Sequence, residues 1–222
     1  MREFDIKQIR MRSFQISGLT AKWGIGGSRS PIWDANLIGR WDARTFPDGA
    51  LATIPNTATM AGKAPDITVT GATMASGTLQ FDGVDDYAKT EAFSFPDRFT
   101  VFWDIDWLGR ENRSAGIYHS LDLYAYNAAA SGSIRCFIKD AEKGGSIPNT
   151  RVGLSTNGNI YAPDGSVTPF AGTVGTNTRN ALLYIARTGT SYTPLGFRQL
   201  LIFNKELSQA EVNDVLRVMF PA

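Results

Sequence analysis

The sequence predicts an all-β domain, a sandwich or barrel of antiparallel strands closed by one short helix. Three observations carry that expectation. Charged residues make up only 19% of the 222 positions while glycine reaches 22 and Ser, Thr and Ala are abundant, a mixture suited to many short strands joined by tight turns. Nine segments alternate or run apolar over strand-like lengths, with turn-forming residues between them. A helical stripe occurs once, near the C-terminus. With 43% hydrophobic residues, the chain suits one domain with a sizeable core rather than two.

The elements follow in order. Residues 1–33 are expected to form a basic N-terminal arm and linker. Phe4 and Ile6, then Ile9 and Met11, then Phe14 and Ile16 alternate with polar positions in short bursts, and a glycine-rich connector carrying Trp23 follows. Six basic residues, Arg10 and Arg12 among them, face two acids, giving the arm a net charge of +4 and leaving −3 on the rest. An extended edge offers free N–H and C=O groups to another chain, so Phe4, Ile6, Arg10, Arg12, Phe14 and Trp23 are candidate assembly residues. A strand completing the domain's own sheet, or a loose tail, fits the same pattern.

Residues 34–222 are expected to be the folded domain. Its strand signals are LIGRWDA (37–43), LQFD (79–82), YAKTEAF (87–93), FTVFWDIDW (99–107), GIYHSLDLYAY (116–126), IRCFIKD (134–140), RVGLS (151–155), ALLYIAR (181–187) and GFRQLLIFN (196–204). Turn chemistry separates them at PDG (47), GVDD (83), EKGG (142), TNGN (156) and PDG (163). The stretch 44–78 gives little signal and reads as long loops and weak strands. Ser208 and Glu211 form a capping box, and Val212, Val215, Leu216 and Met219 then lie on one helical stripe that needs a surface to cover.

Several function classes are set aside by the totals. A net charge of +1 gives no field that would draw the chain to nucleic acid. No apolar run is long enough to span a bilayer, and acids at positions 3 and 5 argue against a secretory signal, so synthesis in a cytoplasm is expected. The lone Cys136, in IRCFI, reads as a buried small hydrophobe. GIGGSRS (24–30) lacks the lysine, preceding strand and following helix of a phosphate loop. His119 has Ser and Asp nearby but no strained nucleophile turn.

The run LQFDGVDDYAKT (79–90), the following FTVFWDIDW, and GFRQLLIFNKELSQAEVNDVL (196–216) together resemble the laminin G-like and pentraxin group of concanavalin A-like lectin and glucanase folds. LIGRWDA is similar to the start of short laminin G-like proteins attached to virions of phages of gut Bacteroidetes. The resemblance implies a two-sheet antiparallel jelly-roll sandwich over residues 34–220; it does not fix function, because the fold serves lectins, adhesive modules, structural decorations and glucanases alike. The first functional reading is a non-catalytic, carbohydrate-binding domain, displayed on a virion through its arm, homo-oligomeric so that weak sugar sites act together, and adhering to host surface glycans. A structural or decorating virion protein that makes only protein–protein contacts is the alternative, and a glycoside hydrolase is a third reading.

The hydrolase reading turns on Asp104 and Asp106, which share one face of a strand. A retaining glycosidase needs two carboxyl groups about 5–5.5 Å apart, one kept protonated. Glucanases of the resembled fold use E-x-D-x-(x)-E, whereas this strand reads D-I-D-W-L-G-R-E, so catalysis is not expected. Asp82, Asp85 and Asp86 are expected to stabilise a turn, with calcium as the one cofactor they suggest. Tyr124 and Tyr126 on one strand face, with Tyr161 in a loop, are the candidate sugar-binding residues, because an aromatic ring with a polar tip suits a sugar's C–H face and hydroxyls.

Overall fold

The computed structural model describes residues 35–108, 115–120, 122–128, 133–139, 141–147, 151–169 and 178–220. The arm and its six candidate residues lie outside them. β1 (Leu37–Asp42) leads through a 3-10 turn, Ala43–Thr45, into β2 (Gly49–Ala50), β3 (Thr53–Ile54), β4 (Ile67–Thr70) and β5 (Thr73–Ala75). β6 (Thr78–Asp82), β7 (Tyr87–Thr90), β8 (Phe93–Ser94), β9 (Thr100–Trp107), β10 (Ala115–His119), β11 (Leu123–Ala128), β12 (Ser133–Ile138) and β13 (Ala141–Ile147) follow. β14 (Arg151–Ser155), β15 (Asn159–Tyr161), β16 (Val167–Pro169), β17 (Asn180–Ala181), β18 (Tyr184–Ile185), β19 (Arg187–Thr188) and β20 (Ser191–Tyr192) precede the long β21 (Pro194–Phe203) and helix α1 (Gln209–Met219).

The strands form a two-sheet antiparallel sandwich. One sheet runs β16-β15-β14-β9-β21-β6-β5-β2, and the other β13-β12-β11-β10-β18-β7-β4-β3. β21 organises the first: β9 pairs along one of its edges, while β6 takes the first half of the other edge and β1 the second half. Period-two patterning explains the division of faces. Val101, Trp103 and Ile105 of β9 and Leu200 and Ile202 of β21 point inward, against Ile67, Ile117, Leu123 and Ile185 of the second sheet. Cys136 is buried in this core, and burial pushes its thiol far above the ordinary range.

The first sheet's outer face carries a second apolar cluster. Phe102, Leu201, Phe203 and Tyr161 lie under Val212, Val215, Leu216 and Met219 of α1, so the helical stripe covers the strand that precedes it. Gly153 makes the space: a Cβ there would sit 2.3 Å from the Phe102 ring, and its absence lets Phe102 stack at 6.3 Å on Tyr161. The helix is fixed at both ends. Glu211 accepts from the Ser208 amide at 2.8 Å, Ser208 returns the bond, and Arg44 donates to the free Met219 carbonyl at 3.3 Å. Among the described residues, no helix is long and apolar enough to cross a membrane.

The 44–78 stretch, expected as long loops and weak strands, holds the short β2 to β5, which pair into the two sheets. Three expectations change. EKGG lies inside β13 rather than in a turn, because cross-strand pairing with β12 fixes it as extended. GIYHSLDLYAY is a hairpin of two strands rather than one, folding at Ser120, which adopts φ 49°. ALLYIAR is broken into three short pieces, at Leu182 and Leu183 and again at the buried Ala186.

Candidate functional site

The second sheet turns tyrosines outward. Ile117 and His119 of β10 face the core, so Tyr118 between them faces away from it. Its register partners are Tyr124 on β11 and Tyr184 on β18, and Tyr184 is in turn opposite Lys89 on β7. Directly opposed residues share a face. The result is a continuous row across four strands, Tyr124, Tyr118, Tyr184 and Lys89, each half-buried. Tyr118 and Tyr124 meet edge to face at 5.3 Å. Tyr87, two residues before Lys89, extends the face, with its ring 6.4 Å from Tyr184 and 6.3 Å from Tyr192.

A kink places a cation among these rings. Strict alternation after Tyr184 would turn Ala186 outward and Arg187 inward. Ala186 instead adopts φ 63° and is buried, a left-handed conformation costing an L-residue about 1–2 kcal/mol. The phase slips by one, and Arg187 emerges beside Tyr184. Its guanidinium carbon lies 4.6 Å from the Tyr87 ring centre, 5.4 Å from Tyr192 and 5.5 Å from Tyr184. Arg187 and Tyr192 are partners at the base of a tight hairpin, β19 to β20, whose first central residue is Gly189 at φ 56°, as a two-residue hairpin turn of this kind requires. The Arg187 Nε donates to the Gly189 carbonyl at 2.9 Å.

Of the three predicted sugar-binding tyrosines, Tyr124 stands in this row. The Tyr126 side chain lies outside the described residues. Tyr161 is only 1% exposed, with its hydroxyl accepting from Asn157 at 3.2 Å, which places the ring beneath α1 and out of reach of a ligand. Tyr87, Tyr118, Tyr184, Tyr192 and Arg187 were missed by sequence reasoning. Tyr118 and Tyr124 carried a usable signal, since a hairpin with its turn near Ser120 pairs them directly.

The Asp104 and Asp106 carboxylates are held by arginines. β21 has a bulge between Phe197 and Gln199, and the extra residue aims both Arg198 and Gln199 at the outer face. Arg198 donates to Asp104 at 3.2 Å and also to Asp106, while Arg151 reaches Asp104 at 3.1 Å. Asp104 is 2% exposed. The hydrogen bond to Asp106, opposed by burial and helped by the charges of both acids, raises the Arg198 guanidinium above its ordinary value. Asp42, Arg44 and Gln199 continue the network. Two acids bridged by one arginine are not a proton donor and a nucleophile facing across a sugar.

The remaining candidates are equally occupied. His119 is buried between the Phe93 and Phe95 rings, 4.8 Å from each, and its Nε2 donates to the Phe93 carbonyl at 3.1 Å, leaving no path to a substrate. Asp82, Asp85 and Asp86 bring carboxylate oxygens within 4.8 Å of one another. Asp82 accepts from the Val84 amide at 2.7 Å and Asp86 from the Asp82 amide at 3.1 Å, the bonds of a tight turn. Burial raises the Asp86 carboxyl above its ordinary value, with added repulsion from Asp82 and Asp85 and opposition from the amide bond. Three carboxylates supply part of the six to eight oxygens calcium takes.

No family model matches the chain, and no curated protein matches it. Solved structures do. Trypanosoma rangeli sialidase in complex with sialic acid superposes with a TM-score of 0.60 at 15% identity, over 86% of this chain and 34% of that one. The botulinum neurotoxin serotype D binding domain gives 0.60 at 12%, over 82% of this chain and 52% of that one. The chain therefore spans about a third of the sialidase and half of the toxin domain. At these identities the likeness establishes a shared fold, an all-β antiparallel sandwich.

Proposed function

We propose that the chain is a non-catalytic glycan-binding domain whose ligand lies on the outward tyrosines of the second sheet. The observation that carries this reading is the register-locked row Tyr124, Tyr118, Tyr184 and Lys89, half-buried and fixed by strand pairing. Half-buried tyrosines in register offer ring faces for sugars to stack on, with the Lys89 ammonium beside them. The neighbours in fold add support, since one was solved with sialic acid bound. A glycan array probed with the full chain tests the reading. Binding to a defined set of glycans, lost in Tyr118→Ala and Tyr184→Ala together, is expected; no binding to any glycan overturns it.

The setting we infer is adhesion of a phage virion to host surface polysaccharide, with residues 1–33 as the mounting arm and copies held together. Support comes from the LIGRWDA resemblance and the +4 charge of the arm. Single sugar sites are weak, so several linked copies raise avidity through effective concentration. Removal of residues 1–33 is expected to abolish particle incorporation and oligomerisation while leaving monovalent sugar affinity intact.

A further inference from the structure

The tyrosine face is cationic as well as aromatic. Among the described residues neither Arg187 nor Lys89 has a carboxylate within ion-pair distance. Several other arginines among the described residues close on acids: Arg44 on Asp42, Arg98 on Glu206, Arg198 on Asp104 and Asp106, Arg217 on Asp214. Arg187 has three rings within 5.5 Å instead. Its Nε is committed to the Gly189 carbonyl, so the two terminal nitrogens are the donors left for a ligand.

We propose that the β19 to β20 hairpin makes this a site for acidic glycans, the Arg187 terminal nitrogens taking the carboxylate or sulfate of a sugar whose ring rests on Tyr184 and Tyr118. The inference rests on the glycan-binding reading above and adds the class of ligand. Two features support it. A guanidinium fork matches the paired oxygens of a carboxylate or sulfate, and Arg is more weakly hydrated than Lys, so less is lost on ligand contact. The rings and the Gly189 bond hold the fork in one orientation before binding, which lowers the entropy cost of recognition. The left-handed Ala186 is what brings the fork to this face, and backbone outliers of this kind gather at binding sites.

The test uses the full chain and paired probes differing only in charge: oligogalacturonate against its methyl ester for the carboxylate, and a sulfated galactan oligosaccharide against its desulfated form for the sulfate. Titration calorimetry at low and high salt reads the affinities. The acidic member of at least one pair is expected to bind about tenfold to a hundredfold more tightly than its neutral partner, less so at high salt. Arg187→Gln is expected to bring the two members of that pair to within about twofold of each other. Arg187→Lys, which keeps the charge and loses the fork, is expected to retain part of the preference and serves if the glutamine variant fails to fold. Equal binding of acidic and neutral members by the unmodified chain, or a preference that survives Arg187→Gln, overturns the acidic-glycan inference and leaves the glycan reading standing. Binding of none of the four probes, with no binding on the glycan array, overturns both.

Discussion

Lys139 and Asp122 meet at 3.1 Å with both side chains wholly out of water. The Asp122 carboxylate also accepts from the Arg179 amide at 3.0 Å and lies 3.6 Å from His119 Nδ1. One acid thus ties the turn of the β10 to β11 hairpin to the end of β12 and to the chain entering β17. Removing one member of a buried pair strands the other's charge, so Asp122→Asn is expected to cost about 3–5 kcal/mol, read from denaturant unfolding.

The same acid gives a pH signature. Burial pushes the Asp122 carboxyl up, but His119, Lys139 and the Arg179 amide more than offset it and leave it below its ordinary value. A lowered folded value means the unfolded state binds the proton more readily. The contribution is therefore complete above about pH 5, declines through the ordinary Asp range near 3.9, and is gone below the folded value. Unfolding free energy measured from neutral to acid is expected to fall less steeply in Asp122→Asn than in the unmodified chain.

Removing a ring from the tyrosine row should weaken sugar binding without loosening the core. Tyr184→Ala or Tyr118→Ala is expected to lose about 1–2 kcal/mol of binding, roughly fivefold to thirtyfold in Kd. Tyr161→Phe is the control: it deletes the bond from Asn157, costs about 0.5–1.5 kcal/mol of stability, and should leave affinity unchanged.

The bridged carboxylates make a prediction of inactivity. The unmodified chain is expected to release no reducing ends from β-glucans, measured over long incubations. Asp104→Ala is expected to appear instead as a stability loss of about 1–3 kcal/mol, because Arg198 and Arg151 lose a buried acceptor while keeping access to water. Glucan hydrolysis that vanishes in Asp104→Asn, Asp106→Asn would reverse the assignment.

Ser208→Ala is expected to cost about 0.5–2 kcal/mol by opening the capping box of α1. Since α1 covers Phe102, Tyr161 and Phe203, the loss should be accompanied by faster amide exchange across β9 and β21.

Strand identity was legible wherever a long apolar pattern announced it. β9, β21 and α1 read correctly because FTVFWDIDW, GFRQLLIFN and the Ser208 capping box each carry their own periodicity. β2 to β5 did not, being two to four residues long and defined only by the neighbours that pair with them. The proposed binding face was half visible. Tyr124 could be placed on an outward face by alternation alone, but Tyr118 needed the hairpin register, and Tyr184, Tyr87 and Arg187 needed strands distant in sequence to be brought side by side. Tyr161 misled for a related reason: a loop-like context, NGNIYAPDG, gives no sign that a helix some fifty residues later will cover it.

Strands β19 and β20 hydrogen-bond as a pair to each other and belong to neither large sheet. The little finger they make is thus a detachable part in the evolutionary sense: its tip at Gly189 and Thr190 is exposed, and its length or chemistry can drift without renegotiating the sandwich beneath. Substitutions in the six residues 187–192 would change what the finger presents while leaving the strand pairing of both large sheets as it is.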